Sequence, residues 1–330
     1  MNSQGADLRG LRVRENQRYV SSNRSDSLRT RIEEFWEHAQ DCLAGGGSRR
    51  RLFAVIGESG SGKTTSINHV LNSFEAFKPY RNEFNELMMP FIGLEVDRAC
   101  TTKDLAIHIF QQLGLPANRA SNEDDLYSTL KKQLRLRGTI LLHLDEAQHL
   151  MKSNSEAAVR GLQDRFKSLL SIPEWPLHMI VSGVPELATL FTGDQQLANR
   201  SLVMRFEKYG FPADQVAIVK ILSDIASDHC GLKLAPELLT DDFLGRFVRA
   251  TDGGVGTMIE MIRAASYKAL SKSHKHLGPK DFEFVYGRVS GSLVAENIMT
   301  AESWVNLERK NALIDLVPAA KRVRSKKVEK

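Results

Sequence analysis

The chain has 330 residues, of which 42% are hydrophobic and 26% charged, which excludes a disordered or collagen-like polymer and is typical of a globular protein. Its formal net charge of +5 is too small to indicate nucleic-acid binding by itself. The sequence shows no apolar run of the roughly 18 residues that span a bilayer, no apolar signal-peptide core and only three widely spaced cysteines, so we expect a cytoplasmic protein whose cysteines serve packing.

The first part of the chain predicts a helix, a strand, a glycine-rich turn and a second helix. Residues 1–24 are polar, rich in arginine and without clear periodicity. Apolar residues then recur at helical spacing over residues 28–43, and the glycines at 45–47 end that pattern. The apolar run 52–56 predicts a strand, and the segment 64–71 after the turn predicts a helix.

Four further segments predict strands, and helical stretches separate them. The strand segments are residues 90–96, 139–144, 177–181 and 203–210. One of the intervening helices is indicated by a single apolar stripe over residues 159–170. Because strands alternate with helices, we expect an α/β fold with a five-stranded parallel sheet that helices cover on both faces.

Beyond Pro212 the strand-like runs stop, and the remaining segments predict helices only. Those helices are expected over residues 216–225, 236–249, 256–270 and 279–289. The predicted organisation is an N-terminal extension at 1–24, an α/β domain at 25–211, a small all-helical domain at 212–295 and a basic C-terminal extension at 296–330. The Lys- and Arg-rich run 321–327 is either a solvated tail or a contact for DNA or an acidic partner.

The turn after the first strand carries a phosphate-binding motif. Residues Gly57–Thr64 fit G-x-x-x-x-G-K-[ST] between a predicted strand and a predicted helix. Its glycines let backbone N–H groups point at phosphates above the positive end of the helix. Lys63 would reach the β- and γ-phosphates of ATP, and the Thr64 hydroxyl would bind Mg²⁺. The expected nucleotide-binding residues are Gly57, Glu58, Ser59, Gly60, Ser61, Gly62, Lys63, Thr64 and Thr65.

Two acidic residues complete this predicted site. The strand at 139–144 delivers Asp145 and Glu146 to its carboxyl end, which is where open α/β sheets bind ligands. Asp145 would hold Mg²⁺ through a water, and Glu146 would polarise the water that attacks the γ-phosphate. The alternative, a pair that only caps a helix, is disfavoured downstream of a complete phosphate-binding loop.

Three more polar residues are candidates for catalysis. Ser182 follows a predicted strand, so its hydroxyl either touches the γ-phosphate or the attacking water, or merely caps the turn before Pro185. Arg200 and Arg205 lie just before and within the last strand. Either arginine would stabilise transition-state charge at a neighbouring subunit's nucleotide, or both are exposed residues on a polar edge. His143 lies inside an apolar strand without a metal-ligand spacing, and we expect it to be structural.

The order of these parts resembles an AAA+ ATPase: a P-loop, an Asp-Glu strand, a polar residue on the next strand, an arginine before the fifth strand and a helical lid. Particular stretches are similar to the TniB/TnsC-type ATP-binding proteins of transposons. Those stretches are residues 57–65, 144–150, 181–187, 194–200 and 253–257, and the resemblance spans roughly residues 15–290.

The resemblance implies a protein of the bacterial cytosol that forms rings or helical filaments on double-stranded DNA with ATP and connects a target-site selector to a transposase. It also implies an ATPase that depends on oligomers. Thr257 and Met258 occupy the lid position where many AAA+ proteins place an arginine, so either hydrolysis is expected to be slow or Arg263 takes the sensing role. Arg98 and Lys103 are candidates for contacts with DNA phosphates.

Three other functions remain open on the sequence. The first is an AAA+ ATPase of another DNA transaction or of secretion. The second is a P-loop phosphotransferase that passes the γ-phosphate to an acceptor, and hydrolysis without an acceptor would distinguish the ATPase from it. The third is an ATP-binding scaffold that hardly turns over, for which Glu146→Gln would change neither assembly lifetime nor partner binding.

Overall fold

A computed structural model of the protein describes residues 3–98, 100–151 and 155–309. The chain divides into two compact units, which are described separately. The first, the sheet unit, is Arg24–Glu207, and the second, the helical unit, joins the residues up to Asn23 with those from Lys208 onward. The basic run 321–327 lies outside the described residues. Within the described part, none of the helices combines the length and the apolarity that a bilayer crossing requires.

The α-helices and strands follow one another along both units. The α-helices are α1 (Ser3–Gln17), α2 (Asn23–Leu43), α3 (Lys63–Ser73), α4 (Thr102–Gln112), α5 (Glu123–Leu136), α6 (Glu156–Leu169), α7 (Gln195–Asn199), α8 (Gln215–Ser223), α9 (Asp241–Thr251), α10 (Val255–Ser271) and α11 (Pro279–Ser290). The strands are β1 (Leu52–Ile56), β2 (Tyr80–Arg81), β3 (Leu87–Met88), β4 (Phe91–Glu95), β5 (Leu141–Asp145), β6 (His178–Gly183), β7 (Ser201–Arg205), β8 (Lys233–Leu234) and β9 (His276–Leu277).

The sheet unit is built on five parallel strands in the order β4-β5-β6-β1-β7. This confirms the predicted α/β fold with a five-stranded parallel sheet. Every residue of β5 and β6 is buried, because these inner strands are covered on both faces. The last strand begins at Ser201 and ends at Arg205, so the prediction of a strand over 203–210 was wrong at both ends. That strand is an edge strand with an alternating, partly exposed pattern, which weakens its apolar signal.

Two hydrophobic clusters lie on the sheet. One packs α4, α5 and α6 onto the inner strands, and its fully buried residues include Leu105, Leu130 and Phe166. The other packs α2 and α3 onto the sheet, with Ile32 and Ile67 among its members. Helix α2 is the leader helix that the apolar spacing over residues 28–43 predicts. Both clusters hold the strands in register and so determine where the strand ends meet.

The helical unit has its own core, built from α8 to α11. The predicted apolar stripe of α10 is buried there, and it consists of Met258, Met261, Ile262 and Ala265. Helix α9 contributes Phe247 and helix α11 contributes Phe282, and both rings are fully buried. Helices α8 to α11 were expected from the sequence, and the two short strands β8 and β9 add only a two-residue parallel pair.

The N-terminal segment was predicted to be an extension without clear periodicity, and the structure differs from that prediction. Helix α1 forms at Ser3–Gln17, and Val20 packs into the core of the helical unit. Arg263 donates hydrogen bonds to the carbonyl oxygens of Asn16, at 3.4 Å, and Arg18, at 2.6 Å. The buried carboxylate of Glu15 pairs with Arg14 at 2.7 Å. These contacts are largely polar, and the partner of Asn16 and Arg18 lies at least 245 residues away, so hydrophobic periodicity does not reveal them.

The core of the sheet unit gives a stability prediction. Phe166→Ala removes a fully buried ring from the larger cluster and is expected to lower the free energy of unfolding by about 3–5 kcal/mol. Urea unfolding followed by circular dichroism measures this change. The control is Leu136→Ala, whose side chain is 66% exposed and whose loss is expected to cost less than about 0.5 kcal/mol. Equal effects of the two variants would contradict the assignment of the core.

Candidate nucleotide-binding site

Strand register brings the predicted site residues to one edge of the sheet. Strand β6 pairs in parallel with both β5 and β1, and Ile56 lies level with Gly183. Leu144 lies level with Val181, so the next residues, Asp145 and Ser182, are neighbours at the carboxyl ends of their strands. This is the edge at which open α/β sheets bind their ligands.

The loop between β1 and α3 has the backbone that phosphate binding requires. Gly60 and Gly62 have φ angles of 76° and 89°, in the left-handed region that glycine adopts without steric cost. A Cβ at Gly57 would collide with the carbonyl oxygen of Phe206. Three glycines of the motif are therefore needed for backbone reasons, and the loop ends at the N-terminus of α3, which begins at Lys63.

The polar groups of the loop fit an anionic ligand. Lys63 is only 4% exposed, and its Nζ lies 3.4 Å from the Glu58 carbonyl oxygen, which is a long hydrogen bond. Burial lowers the pKa of Lys63, while the carboxylates of Glu146 and Asp145 act in the opposite direction. The Ser61 hydroxyl is buried and has no hydrogen-bond partner among the described residues. A phosphate group would supply partners to both, since buried polar groups are normally hydrogen-bonded.

Asp145 is held by a chain of buried hydrogen bonds. The Ser182 hydroxyl donates to Asp145 Oδ1 at 2.5 Å, and His143 Nε2 lies 2.9 Å from the same hydroxyl oxygen. Burial lowers the pKa of His143 to about 4, so the ring is neutral at pH 7 and donates through Nε2–H. These bonds orient one carboxylate oxygen, and the residues therefore fit the predicted role in which Thr64 and Asp145 hold Mg²⁺.

Glu146 occupies a strained backbone position. Its φ of 53° lies in the left-handed region, which residues with a side chain rarely adopt and which is common at functional sites. Gln148 Nε2 donates to Glu146 Oε2 at 2.6 Å, and Gln148 Oε1 accepts from the Val184 N–H at 3.3 Å. Gln148 therefore ties the carboxylate of Glu146 to the end of β6.

The structure thus gathers the loop Gly57–Thr65, Asp145, Glu146 and Ser182 at one edge. Ser182 is fully buried, and its hydroxyl donates to Asp145 and accepts from His143. The predicted contact with the γ-phosphate or attacking water stays a prediction, and an orienting role towards Asp145 stands beside it. Thr64 is half-buried at the start of α3, and Thr65 is exposed.

The two arginines lie at opposite ends of β7. Arg205 is level with Ile56 and is exposed beside the phosphate-binding loop. Arg200 precedes the strand at the other edge, where its carbonyl oxygen accepts from the Leu52 N–H at 3.1 Å. The Arg200 guanidinium donates to Ser171 Oγ at 3.2 Å. The two arginines therefore do not share one location, as their closeness in the sequence had suggested.

Two residues of the site were missed at the sequence level. His143 was expected to be structural, yet its hydrogen bond to Ser182 links it to Asp145. The sequence does contain a signal for this link, because residues two apart on a strand point to the same face and His143 is two residues before Asp145. Gln148 follows Glu146 by two residues, but its bond to the end of β6 depends on the turn after β5.

Together the loop, the buried lysine and the two acidic residues define a P-loop nucleotide-binding site. Residues 46–191 match the protein family described as "AAA domain", so the chain contains an AAA-type P-loop ATPase domain. The comparison with curated proteins found no match.

Several solved structures have a similar fold, among them proteins of Aeropyrum pernix and Pyrobaculum aerophilum. The Aeropyrum pernix ORC1 protein, solved in complex with DNA, is 17% identical, with a TM-score of 0.56 over 82% of this chain and 66% of that one. Cdc6p from Pyrobaculum aerophilum is 17% identical, with a TM-score of 0.50 over 77% of this chain and 66% of that one. The Aeropyrum pernix ORC2 protein, solved as ADPNP-ADP complexes, is 16% identical, with a TM-score of 0.53 over 78% of this chain and 67% of that one.

These similarities establish the AAA+ fold, including the helical region after the sheet. The chain spans just under two thirds of the length of the first two structures.

The hydrogen bonds of Ser182 allow a test of whether its hydroxyl orients Asp145 or acts on the phosphate or the attacking water. Ser182→Ala removes the hydroxyl that orients Asp145 and is expected to weaken Mg²⁺ activation of ATP hydrolysis about 10- to 100-fold. Titrating Mg²⁺ at saturating ATP measures this shift, and Ser182→Thr, which keeps the hydroxyl, is the control. If kcat fell while the Mg²⁺ midpoint stayed unchanged, the hydroxyl would act on the phosphate or the water instead of on Asp145.

Proposed function

We propose that the protein is an ATP-dependent, DNA-binding AAA+ regulator of DNA transposition of the TniB/TnsC type, acting in the cytoplasm. It would assemble on double-stranded DNA with ATP and link a target-site selector to the transposase. The observation that carries the enzymatic part is the placement of Glu146 on the carboxyl edge that also bears Lys63 and Asp145. The transposition role is supported by the residue stretches that resemble TniB/TnsC-type proteins.

ATP would act as a switch between dispersed and assembled subunits. Lys63 would bind the β- and γ-phosphates, Thr64 and Asp145 would hold Mg²⁺, and Glu146 would orient the attacking water. The Mg²⁺ ion supplies neutralisation of phosphate charge. Because a ligand shifts an equilibrium only by its differential affinity for two states, ATP must bind the assembled form more tightly, and hydrolysis then favours disassembly.

The helical unit supports a slow ATPase. Met258 is fully buried in the core of that unit. This position therefore holds a packing residue where many AAA+ proteins have an arginine that senses the nucleotide. Arg263, the alternative sensor, donates to the carbonyl oxygens of Asn16 and Arg18 within the same unit. These bonds engage both terminal nitrogens of its guanidinium, and we propose that acceleration depends on arginines from a neighbouring subunit.

Arg200 and Arg205 are the proposed sources of that acceleration. An arginine supplied in trans stabilises the charge of the phosphoryl-transfer transition state and is worth about 10³- to 10⁵-fold in rate. Arg205 is exposed at the edge that carries the phosphate-binding loop, whereas Arg200 is half-buried at the opposite edge. Their separate locations mean that a single neighbouring active site would use one of them and not both.

Binding to DNA is proposed to be independent of sequence. Arg98 follows β4 and is exposed, and Lys103 is half-buried in the first turn of α4. Both lie where the chain leaves the sheet at its carboxyl edge, and both would contact backbone phosphates. Such contacts release counterions, so binding should weaken steeply as salt rises. The similar fold of the Aeropyrum pernix ORC1 protein, which was solved in complex with DNA, supports a DNA-bound function.

A second candidate is an AAA+ ATPase of another DNA transaction, and the similarity in fold to the ORC and Cdc6 structures favours it. Selection of bound duplexes from a random-sequence DNA pool separates the two. The transposition regulator is expected to enrich no sequence, because it reads backbone phosphates. A sequence motif that was recovered repeatedly would favour an ATPase that binds defined DNA sites.

Electron microscopy with double-stranded DNA tests the proposed assembly. Wild-type protein is expected to form rings or filaments with ATP or a non-hydrolysable analogue, and to disperse with ADP. Lys63→Ala removes the buried ammonium that would contact the phosphates and should abolish assembly with every nucleotide. Glu146→Gln should form assemblies with ATP that persist at least about 100-fold longer, because hydrolysis needs the carboxylate.

The matched control for Glu146→Gln is Glu186→Gln, an exposed glutamate after β6, which should behave as wild type. Protein that binds ATP but stays dispersed and off DNA in every nucleotide state would contradict the proposed assembly. A search for phosphate acceptors would then be the next experiment.

A further inference from the structure

Three potential metal ligands meet at the amino edge of the sheet, opposite the nucleotide-binding site. His38 and Cys42 lie one turn apart on α2, and His178 is the first residue of β6. One donor atom from each side chain lies within 4.8 Å of the other two. His38 Nδ1 is 2.9 Å from His178 Nε2 and 3.9 Å from Cys42 Sγ. Cys42 Sγ is also 3.8 Å from the other ring nitrogen of His38, Nε2. The donor atoms of two imidazoles and one thiol are therefore grouped closely enough to share one ion after the side chains rotate.

The hydrogen bonds around this cluster fix His178 as a metal ligand and allow His38 to become one by a change of tautomer. His178 Nδ1 lies 2.7 Å from the Pro176 carbonyl oxygen, so Nδ1 carries the proton and Nε2 presents its lone pair to the cluster. His38 Nε2 lies 2.9 Å from Ser48 Oγ. When Nε2–H of His38 donates to that hydroxyl, its Nδ1 lone pair also faces the cluster. Backbone carbonyls and hydroxyls in this position commonly fix the tautomer of metal-binding histidines.

A short loop closes over the thiol. A Cβ at Gly47 would collide with Cys42 Sγ, so the chain can approach the sulfur this closely only because residue 47 is glycine. Cys42 Sγ also lies 3.6 Å from the Ser48 carbonyl oxygen. The residues after α2 thus form one wall of the cluster.

We propose that His38, Cys42 and His178 form a binding site for one divalent cation of the zinc class, separate from the ATP·Mg²⁺ site and independent of its function. Imidazole and thiolate are the ligands that zinc prefers, and three protein ligands leave a fourth position for water. The site would join α2 to β6 and so tether the leader helix to the sheet.

The distances suit tetrahedral coordination after small side-chain shifts. With usual zinc bond lengths, two nitrogens are about 3.4 Å apart, and nitrogen and sulfur about 3.6 Å apart. The corresponding separations here are 2.9 Å and 3.9 Å. Rotations of the His38 and Cys42 side chains would adjust both separations, because the two residues share one face of α2.

Proton and charge balance are simple. Binding converts the Cys42 thiol to thiolate and releases one proton to solvent, while the proton of His38 moves from Nδ1 to Nε2. The thiolate neutralises one of the two cation charges. Asp41 and Arg51 are the charged groups that act on the cluster, the first favouring a cation and the second the thiolate. Affinity therefore depends on Cys42, and a neutral replacement should abolish it.

The sequence alone does not reveal this cluster, because His178 is 140 residues after His38. The spacing of His38 and Cys42 is the familiar i, i+4 pair on a helix, but two ligands do not make a site. The third ligand arrives only when β6 is placed beside α2.

The test is a titration of tag-free, chelator-treated full-length protein with Co²⁺, a spectroscopic substitute for Zn²⁺. Wild-type protein should bind one equivalent and show a thiolate-to-cobalt charge-transfer band with intense tetrahedral ligand-field bands. Cys42→Ser should lose the charge-transfer band, and His38→Gln should weaken binding at least 10-fold. Both of these side chains are only partly buried, so the variants are expected to fold, which circular dichroism checks.

The matched controls are Cys100→Ala and His274→Gln, which alter residues of the same types outside the cluster and should leave the spectrum unchanged. Zn²⁺ in place of Co²⁺ should raise the Tm of the wild type by about 5 °C and leave that of Cys42→Ser unchanged. Absence of the cobalt bands in folded wild-type protein, or their survival in Cys42→Ser, would overturn the proposal.

Discussion

Backbone hydrogen bonds hold β5, β6 and β1 side by side in parallel register, and the nucleotide-binding residues depend on that pairing. Because the three strands end at one edge, residues from three distant parts of the chain become neighbours. A shift of β6 by one residue would turn Ser182 away from Asp145, since successive side chains point to opposite faces. The buried clusters on both faces of the sheet are what fix the register.

The same edge combines order with local strain. Asp145 is oriented by Ser182 and His143, all of them buried. Glu146, the next residue, has left-handed backbone geometry and hydrogen-bonds to Gln148. In the proposed roles, a metal ligand at Asp145 benefits from a fixed position, whereas a water-orienting glutamate at position 146 would respond to whether a γ-phosphate is present. The strained turn places these two carboxylates next to each other.

Much of the sheet unit was predictable because its signals are local and apolar. The inner strands are short buried runs, and the phosphate-binding loop has a motif whose backbone demands are met by Gly57, Gly60 and Gly62. The bounds of β7 were not predictable, since an edge strand with Val203 52% exposed lacks a continuous apolar run. The contact between His38 and His178 depends on how distant segments pack together, and the periodicity within one segment carries no information about that packing.

The measurement that tests the account most directly is a cryo-electron microscopy structure with Mg²⁺ and a non-hydrolysable ATP analogue. The account predicts that the phosphates lie in the loop Gly57–Thr64 with Lys63 Nζ in contact with them, and that the metal lies beside Thr64 and Asp145. Nucleotide bound elsewhere, or Lys63 still on the Glu58 carbonyl oxygen beside a loop that holds no phosphate, would contradict it.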